Sequence, residues 1–447
     1  MNIIDFIKNN TVYRNKYKTD SEAVIVSCFF NPTNSPYRIK AFNTFRKSID
    51  HLNHRIIECV IGDAKPQLSG KNIQHVYTKD LLWHKESLLN KAISELPKKY
   101  KYVFWVDADV IFTNKNWLVE GAKELREKNI IQPFEYCIHL DKDQLSPAFN
   151  FNFEKEMMDI SPNMRHPKLW RSFCSNYAIN GYLASGNENY DKHGHVGFAW
   201  GARREILDVM PLYDRALIGG ADHVIAHAAA GHINHKCIQK SFTDNLDEVN
   251  EWSNKFYKLV NGKIGYVKGD LFHIWHGDIE KRQYLKRIQD FTPKTKKITK
   301  KDENGLYINE DTEAKEYMEK YFDHREVKQK FDMNKVPIKY RKTVETKRNQ
   351  FVKQNPNADN DFINSMLIAY LTDSTATGAI IGGDWLGAMI GDSLNNSDEK
   401  IESFGGGDFG GGGAGGSWDV DTTNTQNENH ADDALVFTAV NNTENFS

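Results

Sequence analysis

The sequence predicts an α/β fold: a mostly parallel, wound sheet with flanking helices, followed by a C-terminal helical and low-complexity extension. Short apolar runs alternate with helical patterns of roughly 12 to 15 residues, which is typical of βαβ units. A second observation agrees with this. The apolar run at residues 102–106 leads directly into an acidic turn, Asp107-Ala108-Asp109, as a buried strand does when it reaches the edge of a sheet.

The individual elements follow from the period of the apolar residues. The run AVIVSCFF at residues 23–30 is apolar almost throughout, as expected of a buried strand, and residues 37–50 place Ile39, Phe42 and Phe45 on one helical face. The predicted strands are residues 23–30, 55–61, 73–77, 102–106, 130–133, 195–201 and 269–276, and the predicted helices are residues 37–50, 82–96, 116–128, 203–210 and 222–230.

Composition divides the chain into several parts. Residues 1–290 carry the α/β pattern and include a stretch at 137–192, rich in aromatic residues, Asn, Pro and Ser, that is predicted to be a cleft-shaping insertion. Residues 291–360 are predicted to form a basic, helical appendage. A short amphipathic and small-residue segment, 361–403, and a Gly-rich linker with a disordered acidic tail, 404–447, follow.

Composition also narrows the classes of function. The 447 residues include 58 Lys or Arg and 60 Asp or Glu, and this near-neutral balance argues against a protein that binds nucleic acid through bulk charge. The basic segment leaves open a peripheral contact with a membrane or an anionic acceptor. Five scattered cysteines without a CxxC pair argue against a disulfide scaffold or a cysteine-rich zinc module. With neither a signal-peptide pattern nor a membrane-length apolar run, we expect a cytoplasmic protein.

The sharpest motif is YKYVFWVDADVIF at residues 101–113. It delivers two carboxylates, Asp107 and Asp109, to the carboxyl end of a predicted strand, where ligands of open α/β sheets bind. Hard oxygen ligands suit Mg²⁺ or Mn²⁺, which water and substrate phosphates then complete. A solvated turn is the alternative, but two charges inside an apolar stretch are costly unless they are paired or metal-bound.

A second motif, FHIWHGD at residues 272–278, supplies two imidazoles. His273 and His276 are three residues apart near a predicted strand end, where a turn can bring both to one ion. Together with the two aspartates they form a mixed oxygen and nitrogen set that suits Mn²⁺ better than Ca²⁺. Taken singly, either histidine also fits a structural or surface role.

A third motif, LIGGADHVIAHAAAGH at residues 217–232, places Asp222 at the start of a small-residue helix. The helix N-terminus favours the ionised carboxylate, which could then serve as a general base toward a sugar hydroxyl. An N-cap role is the local alternative. His223 and His227 have the spacing of a zinc hydrolase, but Val224 stands where HExxH requires its glutamate.

These motifs, in this order, resemble the GT-A glycosyltransferases. The segment WHKESLLNKAISELPKKYKYVFWVDADVIF and the later GHVGFAWGARREILDVMPLYDRALIGGADHVI are most similar to the β-1,4-galactosyltransferase family and its bacterial relatives. That family has a helix beginning FNRxxLLN, a strand running into DVD, a GG(V/F) strand, a GGED helix start and a C-terminal metal-binding histidine segment. The resemblance covers about 250 of the 447 residues, and it implies a GT-A catalytic domain over residues 1–290.

The resemblance also implies roles for single residues. Asp109 matches the principal metal ligand, with His273 and His276 as the histidine pair. Asp222, in Gly219-Gly220-Ala221-Asp222, matches the catalytic base of an inverting transfer. The implied donor-binding residues are those that match the nucleotide-binding, LLN, DVD and GG(V/F) positions: Phe30, Asn31, Arg38, Asp63, Lys85, Asn90, Asp107 and Gly197.

The sequence departs from the family pattern near the implied base. Ala221 replaces the glutamate before it, His223 replaces the acid after it, and Ile218 replaces a tryptophan. These positions shape the acceptor pocket in the family, so neither N-acetylglucosamine as acceptor nor galactose as donor carries over.

The function predicted from the sequence is a metal-dependent glycosyltransferase of the hexosyltransferase type. It would use Mn²⁺ or Mg²⁺ and move a sugar from a nucleotide-diphosphate donor to a hydroxyl of a carbohydrate acceptor, with inversion. Three alternatives stay open: a GT-A-like nucleotidyltransferase that releases pyrophosphate, a retaining transferase, and a non-catalytic carbohydrate-binding or structural protein.

Overall fold

The computed structural model describes residues 17–140, 169–185, 193–232, 234–277, 280–325 and 338–354, with isolated residues at 333, 336, 360, 363, 364 and 367. Most of the predicted 361–403 segment and all of the 404–447 tail therefore lie outside the described residues. So do residues 141–168 and 186–192 of the predicted insertion.

The described part of the chain contains eleven strands and eleven α-helices. The strands are β1 Ala23–Phe30, β2 His54–Ile61, β3 Ile73–Thr78, β4 Tyr102–Val106, β5 Val110–Phe112, β6 Ile130–Gln132, β7 Tyr136–His139, β8 Leu169–Arg171, β9 Ala199–Arg203, β10 Ile264–Tyr266 and β11 Asp270–His273. The helices are α1 Pro36–Ile49, α2 Lys85–Ser94, α3 Trp117–Glu124, α4 Phe173–Ser185, α5 Arg204–Val209, α6 Ala221–Ala230, α7 Lys236–Ser241, α8 Leu246–Val260, α9 Tyr284–Thr295, α10 Thr312–Arg325 and α11 Ile338–Gln354. None of these helices is long and apolar enough to cross a membrane.

The central sheet has seven strands in the order β10-β6-β9-β4-β1-β2-β3. Pairs β1–β2, β2–β3, β1–β4 and β6–β10 are parallel, and β9 alone among them runs antiparallel to its neighbours β4 and β6. Apolar side chains cover both faces of β1 and β4, where the flanking helices pack. The predicted α/β class with a mostly parallel wound sheet and flanking helices is confirmed.

Strand order creates a crevice at one point of this sheet. From β1 the chain proceeds outward to β2 and β3 on one side, and then returns to place β4 on the other side of β1. Such a reversal leaves a gap above the carboxyl ends of β1 and β4, because their connections leave in opposite directions. Phe30 ends β1 and Asp107 follows β4, so both lie at this edge.

A second, four-stranded sheet has the order β5-β11-β7-β8. It was not predicted, because three-residue strands such as β5 and β8 are too short to show a period. Strand β5 starts one residue after Asp109 and pairs antiparallel with β11. The described flanks of the predicted insertion are regular elements: β7 and β8 pair in this second sheet, and α4 contacts β10 and β6 of the central sheet.

Strand β9 begins later than predicted. The predicted strand covered residues 195–201, but pairing with β4 runs from Ala199 to Arg203. Phe198 has φ of 79°, in the left-handed region that no β-strand uses. The backbone carbonyl of Phe198 instead accepts a hydrogen bond from the Asp107 N–H at 2.7 Å, at the end of β4. The strand therefore starts only after this turn.

Helix α2 is shorter than the prediction of 82–96. It begins at Lys85, because Trp83 leaves the helical path and its N–H donates to the carbonyl of Leu217 at 2.9 Å. His84 occupies the N-cap position and is buried. This late start places Lys85 in the first turn of α2, facing the crevice.

The fold continues past residue 290. On α10, Ala314, Met318, Tyr321 and Phe322 are buried and belong to one apolar cluster with residues from α6, α7 and α9. The ring of Phe322 also contacts Phe30 at the end of β1, with 5.3 Å between centroids. Residues 291–325 are therefore integral to the α/β unit, and the predicted picture of a separate basic appendage is wrong for this part.

Candidate active site

A cleft lies at the carboxyl ends of β1 and β4, where the strand order reverses. Its walls come from β1, α1, α2, the turn after β4, the turn after β11, the 3₁₀ turn at residues 280–282 and α10. The residues that line it are Cys28, Phe29, Phe30, Arg38, Ala41, Trp83, His84, Lys85, Leu88, Asp107, Ala108, Asp109, His276, Arg282 and Arg325.

One carboxylate and two imidazoles meet at the floor of this cleft. The Nε2 atom of His276 lies 2.9 Å from Oδ2 of Asp109, and Nε2 of His273 lies 3.8 Å from the same oxygen. The two Nε2 atoms are 3.3 Å apart. Both histidines are buried, whereas the Asp109 side chain remains 24% exposed toward the cleft.

The second sheet explains why these three residues meet although they are far apart in sequence. In the pairing of β5 with β11, His273 lies opposite Val110, which directly follows Asp109. The backbone N–H of Ile274 donates to the carbonyl of Asp109 at 2.8 Å and extends this register by one step. The chain then turns at Gly277, which has φ of 132°. Just before this turn, the ring of His276 packs against the ring of His273. The structure therefore brings together the three residues that the sequence analysis groups as one candidate metal set.

The donor set fits a divalent cation. The three ligand atoms of Asp109, His273 and His276 all lie within 4.8 Å of one another. The other Asp109 oxygen, Oδ1, is buried and has no hydrogen-bond partner among the described residues, a costly state that a cation would relieve. Burial alone would raise the pKa of Asp109, yet the two histidines hold it well below its usual range, so the carboxylate is ionised. One carboxylate and two imidazoles suit Mn²⁺.

A buried ion-pair chain lies beside this set. Lys85 Nζ is 2.7 Å from Oδ1 of Asp107 and donates to Oδ2 of Asp222 at 3.0 Å. Burial opposes the charge on Lys85, but the two carboxylates raise its pKa well above the usual range. Burial also raises the pKa of Asp107 to about 7, against the pull of Lys85. Lys85 thus stays charged and joins the turn after β4 to the start of α6.

Three arginines complete a strongly cationic wall. Arg38 donates from Nη1 to the carbonyl of Phe30 at 3.2 Å, and Arg282 Nη2 lies 3.1 Å from Nε2 of His276. Burial, together with the like charges of Arg38 and Arg282, lowers the pKa of Arg325 to about 9. So many cations in one cleft repel one another, and an anion would relieve that repulsion.

Four of the eight predicted donor-binding residues line the cleft: Phe30, Arg38, Lys85 and Asp107. Asn31 is adjacent but directs its side chain into the protein. Its Oδ1 accepts from the Ser35 N–H at 2.9 Å and its Nδ2 donates to Gln67, which shapes the turn into α1. Asp63 is exposed in the turn after β2.

Asn90 and Gly197 lie elsewhere in the described structure. The side-chain amide of Asn90 makes two hydrogen bonds to the backbone of Leu212. Asn90 Nδ2 donates to the Leu212 carbonyl, and the Leu212 N–H donates to Asn90 Oδ1, each at 2.9 Å. Gly197 donates its N–H to Nδ1 of His195 and accepts from Nε2 of Gln132. Neither residue is among those that line the cleft, and their contacts hold neighbouring backbone segments in place.

Asp222 lies beneath the cleft. It sits in the first turn of α6, after Gly219 and Gly220 with φ of 97° and 100°, and the residue is only 1% exposed. Lys85 stands between its carboxylate and the cleft. In this arrangement Asp222 neutralises and positions Lys85. The role of general base stays a prediction that would require Lys85 to move aside.

Sequence reasoning missed Arg282 and Arg325. Arg282 lies six residues after His276, and Arg325 ends α10 in the segment that was interpreted as an appendage. Their presence in the cleft depends on the packing of α9 and α10, which a local pattern does not reveal. For Arg325 the available signal was the excess of basic residues after residue 290; for Arg282 the sequence offers no comparable signal.

Comparison with known proteins adds little. No protein-family model and no curated protein matches the sequence. Among solved structures, the chain has a TM-score of 0.26 to 4-diphosphocytidyl-2C-methyl-D-erythritol synthase from Anaerococcus prevotii, with 11% identity over 61% of this chain and 96% of the other. A putative glucose-1-phosphate thymidylyltransferase from Bacillus anthracis gives 0.23, with 10% identity over 64% and 99%. Likeness at this level supports no statement about function.

Proposed function

We propose that the protein is a metal-dependent glycosyltransferase that moves a sugar from a nucleotide-diphosphate donor to an acceptor hydroxyl. The observation that carries the proposal is the Asp109, His273 and His276 set on the floor of a cleft whose wall holds Arg38, Arg282 and Arg325. A divalent cation beside several guanidinium groups is suited to a diphosphate, because it offers positive charge at every non-bridging oxygen.

The arginines would bind the donor diphosphate. Arg282 contacts Nε2 of His276, so in the metal-bound state its guanidinium would turn from the histidine toward the phosphate oxygens. Arg38 and Arg325 face the same space from α1 and α10. Their mutual repulsion would fall once the diphosphate is bound, which makes binding more favourable.

Asp109, His273 and His276 would hold Mn²⁺ or Mg²⁺. A bound divalent cation would neutralise the negative charge that develops on the departing diphosphate. Phe30 and Trp83, whose ring centroids are 6.2 Å apart, give the cleft an apolar wall for the less polar parts of the donor. Asp107, held by Lys85, faces the donor side of this wall.

The proposed catalytic unit includes residues 291–325, since Arg325 and the core residues of α10 belong to it. Asp222 remains the proposed general base. Its carboxylate would take the acceptor proton once Lys85 pairs with Asp107 alone. If Asp222 only positions Lys85, Asp222→Asn will weaken donor binding as well as turnover. If it is the base, turnover will fall while donor affinity is kept.

The test is product analysis of the purified protein with a panel of nucleotide sugars and Mn²⁺. The proposal expects one donor to give metal-dependent release of a nucleoside diphosphate, with the sugar transferred to a glycan acceptor or to water. A thermal-shift screen of the same donors identifies the best one beforehand. Release of pyrophosphate from a nucleoside triphosphate would show a nucleotidyltransferase instead. Full turnover in metal-free buffer would refute the metal role.

A further inference from the structure

A second cluster of metal-ligating side chains lies inside the protein, outside the cleft. It consists of His193, His223, His227 and Cys237, and we call it the sealed cluster. One ligand atom of each residue, an imidazole nitrogen or the thiol sulfur, lies within 4.8 Å of each of the others. All four residues are buried, and none of them lines the cleft.

The fold builds this cluster from three separate segments. His223 and His227 are four residues apart on α6 and therefore share one face of that helix, with 4.8 Å between ring centroids. Cys237 lies in the first turn of α7, where its N–H donates to Nδ1 of His235 at 3.2 Å. His193 precedes the turn into β9, and its ring is 5.1 Å from that of His227.

The donor chemistry suits zinc. Three imidazoles and one thiol match the tetrahedral nitrogen and sulfur sets that hold structural Zn²⁺. Zn–N bonds of about 2.0 to 2.1 Å and a Zn–S bond of about 2.3 Å place such ligands roughly 3.3 to 3.8 Å apart. The observed limit of 4.8 Å exceeds this spacing by roughly 1 to 1.5 Å, a difference that small side-chain rotations can close.

The packing around the cluster leaves a buried imidazole nitrogen that a bound metal ion would satisfy. Nε2 of His227 is buried without a hydrogen-bond partner among the described residues, although its Nδ1 lies 3.3 Å from Nδ1 of His232. The ring of Phe173 packs against His227, with 5.4 Å between centroids, and excludes water on that side. A buried imidazole nitrogen with no partner costs free energy that a metal bond would recover.

We propose that His193, His223, His227 and Cys237 bind one Zn²⁺ in a closed, tetrahedral, structural site. The site has four buried protein ligands, none of which lines the cleft, so four-coordinate zinc would have no position left for a substrate. This distinguishes it from a zinc hydrolase, which needs an open position and a glutamate where the chain has Val224.

The zinc would fix α6 in place. It would join α6 to α7 and to the segment before β9, while Asp222 at the start of α6 pairs with Lys85 in the cleft wall. The structural site would therefore help to hold Asp222, and through it Lys85, in position beside the cleft. Its existence does not depend on the proposed transfer reaction.

The test is metal analysis of the full-length protein. Mass spectrometry of the purified chain should find about one zinc per chain, and X-ray absorption at the zinc edge should show one sulfur and three nitrogen neighbours. Exchange for Co²⁺ should give a thiolate-to-cobalt charge-transfer band. The Asp109→Asn variant should keep this band, because the cleft contributes no ligand to it.

Cysteine variants supply the matched comparison. Cys237→Ser should lose the charge-transfer band, whereas Cys174→Ser, which changes another buried cysteine, should keep it. A band that persists in Cys237→Ser would overturn the proposal, as would a wild-type chain that holds no zinc and takes none up. Because the absorption spectrum of the wild-type chain is sufficient alone, the test stands even if Cys237→Ser does not fold.

Discussion

The two histidine clusters of this protein use similar side chains but lie in different surroundings. In the cleft, Asp109, His273 and His276 come from strand ends, and the carboxylate is partly exposed. In the sealed cluster, His227 and Cys237 come from helices and are fully buried. Metal sites that act on substrates keep a free coordination position, while structural sites are closed.

Their positions in the fold explain the difference. The cleft lies where the strand order reverses, so the connections diverge and leave space for a ligand. The sealed cluster lies where α6 packs against α4 and α8, and its four residues are buried and do not line the cleft. Histidine spacing in the sequence therefore does not by itself indicate catalysis. The exposure of the ligand atoms decides the role.

Loss of a ligand from the sealed cluster should give the largest effect, and it should act on stability. We expect His227→Ala to lower the free energy of unfolding by more than about 4 kcal/mol and to abolish zinc binding, because the site joins three segments. Urea unfolding and metal content measure this. His324→Ala, which changes an exposed histidine on α10, is the control and should keep its zinc.

Loss of the cleft carboxylate should act on function instead. We expect Asp109→Asn to reduce donor turnover roughly 100- to 1,000-fold, because the charge that holds the cation is removed. The unfolding temperature should change little. Steady-state kinetics and calorimetry measure the two quantities. Asp50→Asn, an acidic residue paired with Arg46 on the surface, is the control. Equal activity of Asp109→Asn and the wild type would contradict the assignment.

His84, which lines the cleft, should make the free energy of unfolding depend on pH. Burial lowers the pKa of His84 from 6.5 to about 4, although the carbonyl of Asp80 opposes this shift. The unfolded chain therefore binds a proton that the native state does not, so stability falls as the pH drops from 6.5 toward 4. The loss at His84 should reach about 3 kcal/mol.

Urea unfolding across that pH range tests the prediction with two variants. His84→Gln should have a shallower acid slope than the wild type, while His324→Gln, which changes an exposed histidine on α10, should keep the wild-type slope. Identical slopes for all three proteins would show that His84 does not contribute.

The smallest expected effect concerns a single cation of the cleft. Arg325→Met keeps most of the buried side-chain volume but removes the charge, so we expect donor affinity to fall by about 2 kcal/mol, or roughly 30-fold. Titration with the donor measures it. Lys320→Met on the same helix is exposed and should bind the donor like the wild type. An unchanged Arg325→Met affinity would remove α10 from the binding site.

The sequence predicted the parts of the site that are local. Apolar runs located β1 and β4, and the carboxylates of Asp107 and Asp109 stood out because charge inside an apolar stretch needs a partner. The grouping of Asp109 with His273 and His276 as one candidate metal set follows from the donor chemistry of two motifs and from the family resemblance. Lys85 was singled out only by the family resemblance, and the structure places it among the residues that line the cleft.

Contacts between distant segments were not predictable in the same way. Arg325 reaches the cleft only through the packing of α10, and Asp222 is buried because Lys85 covers it. Cys237 looked isolated in the sequence, since its partners come from α6 and from the segment at His193. Five cysteines without a CxxC pair argue against a cysteine-rich module. Cysteine spacing does not exclude a site that combines a single cysteine with histidines.

The proposed function depends most on whether the cleft binds a diphosphate through a divalent cation at Asp109, His273 and His276. The most direct measurement is calorimetric titration of a nucleoside diphosphate into the protein in metal-free buffer, with and without added Mn²⁺. We expect strong binding to the wild type only when Mn²⁺ is present, and little binding to Asp109→Asn in either buffer. Equal affinity with and without Mn²⁺, or wild-type affinity in Asp109→Asn, would contradict it.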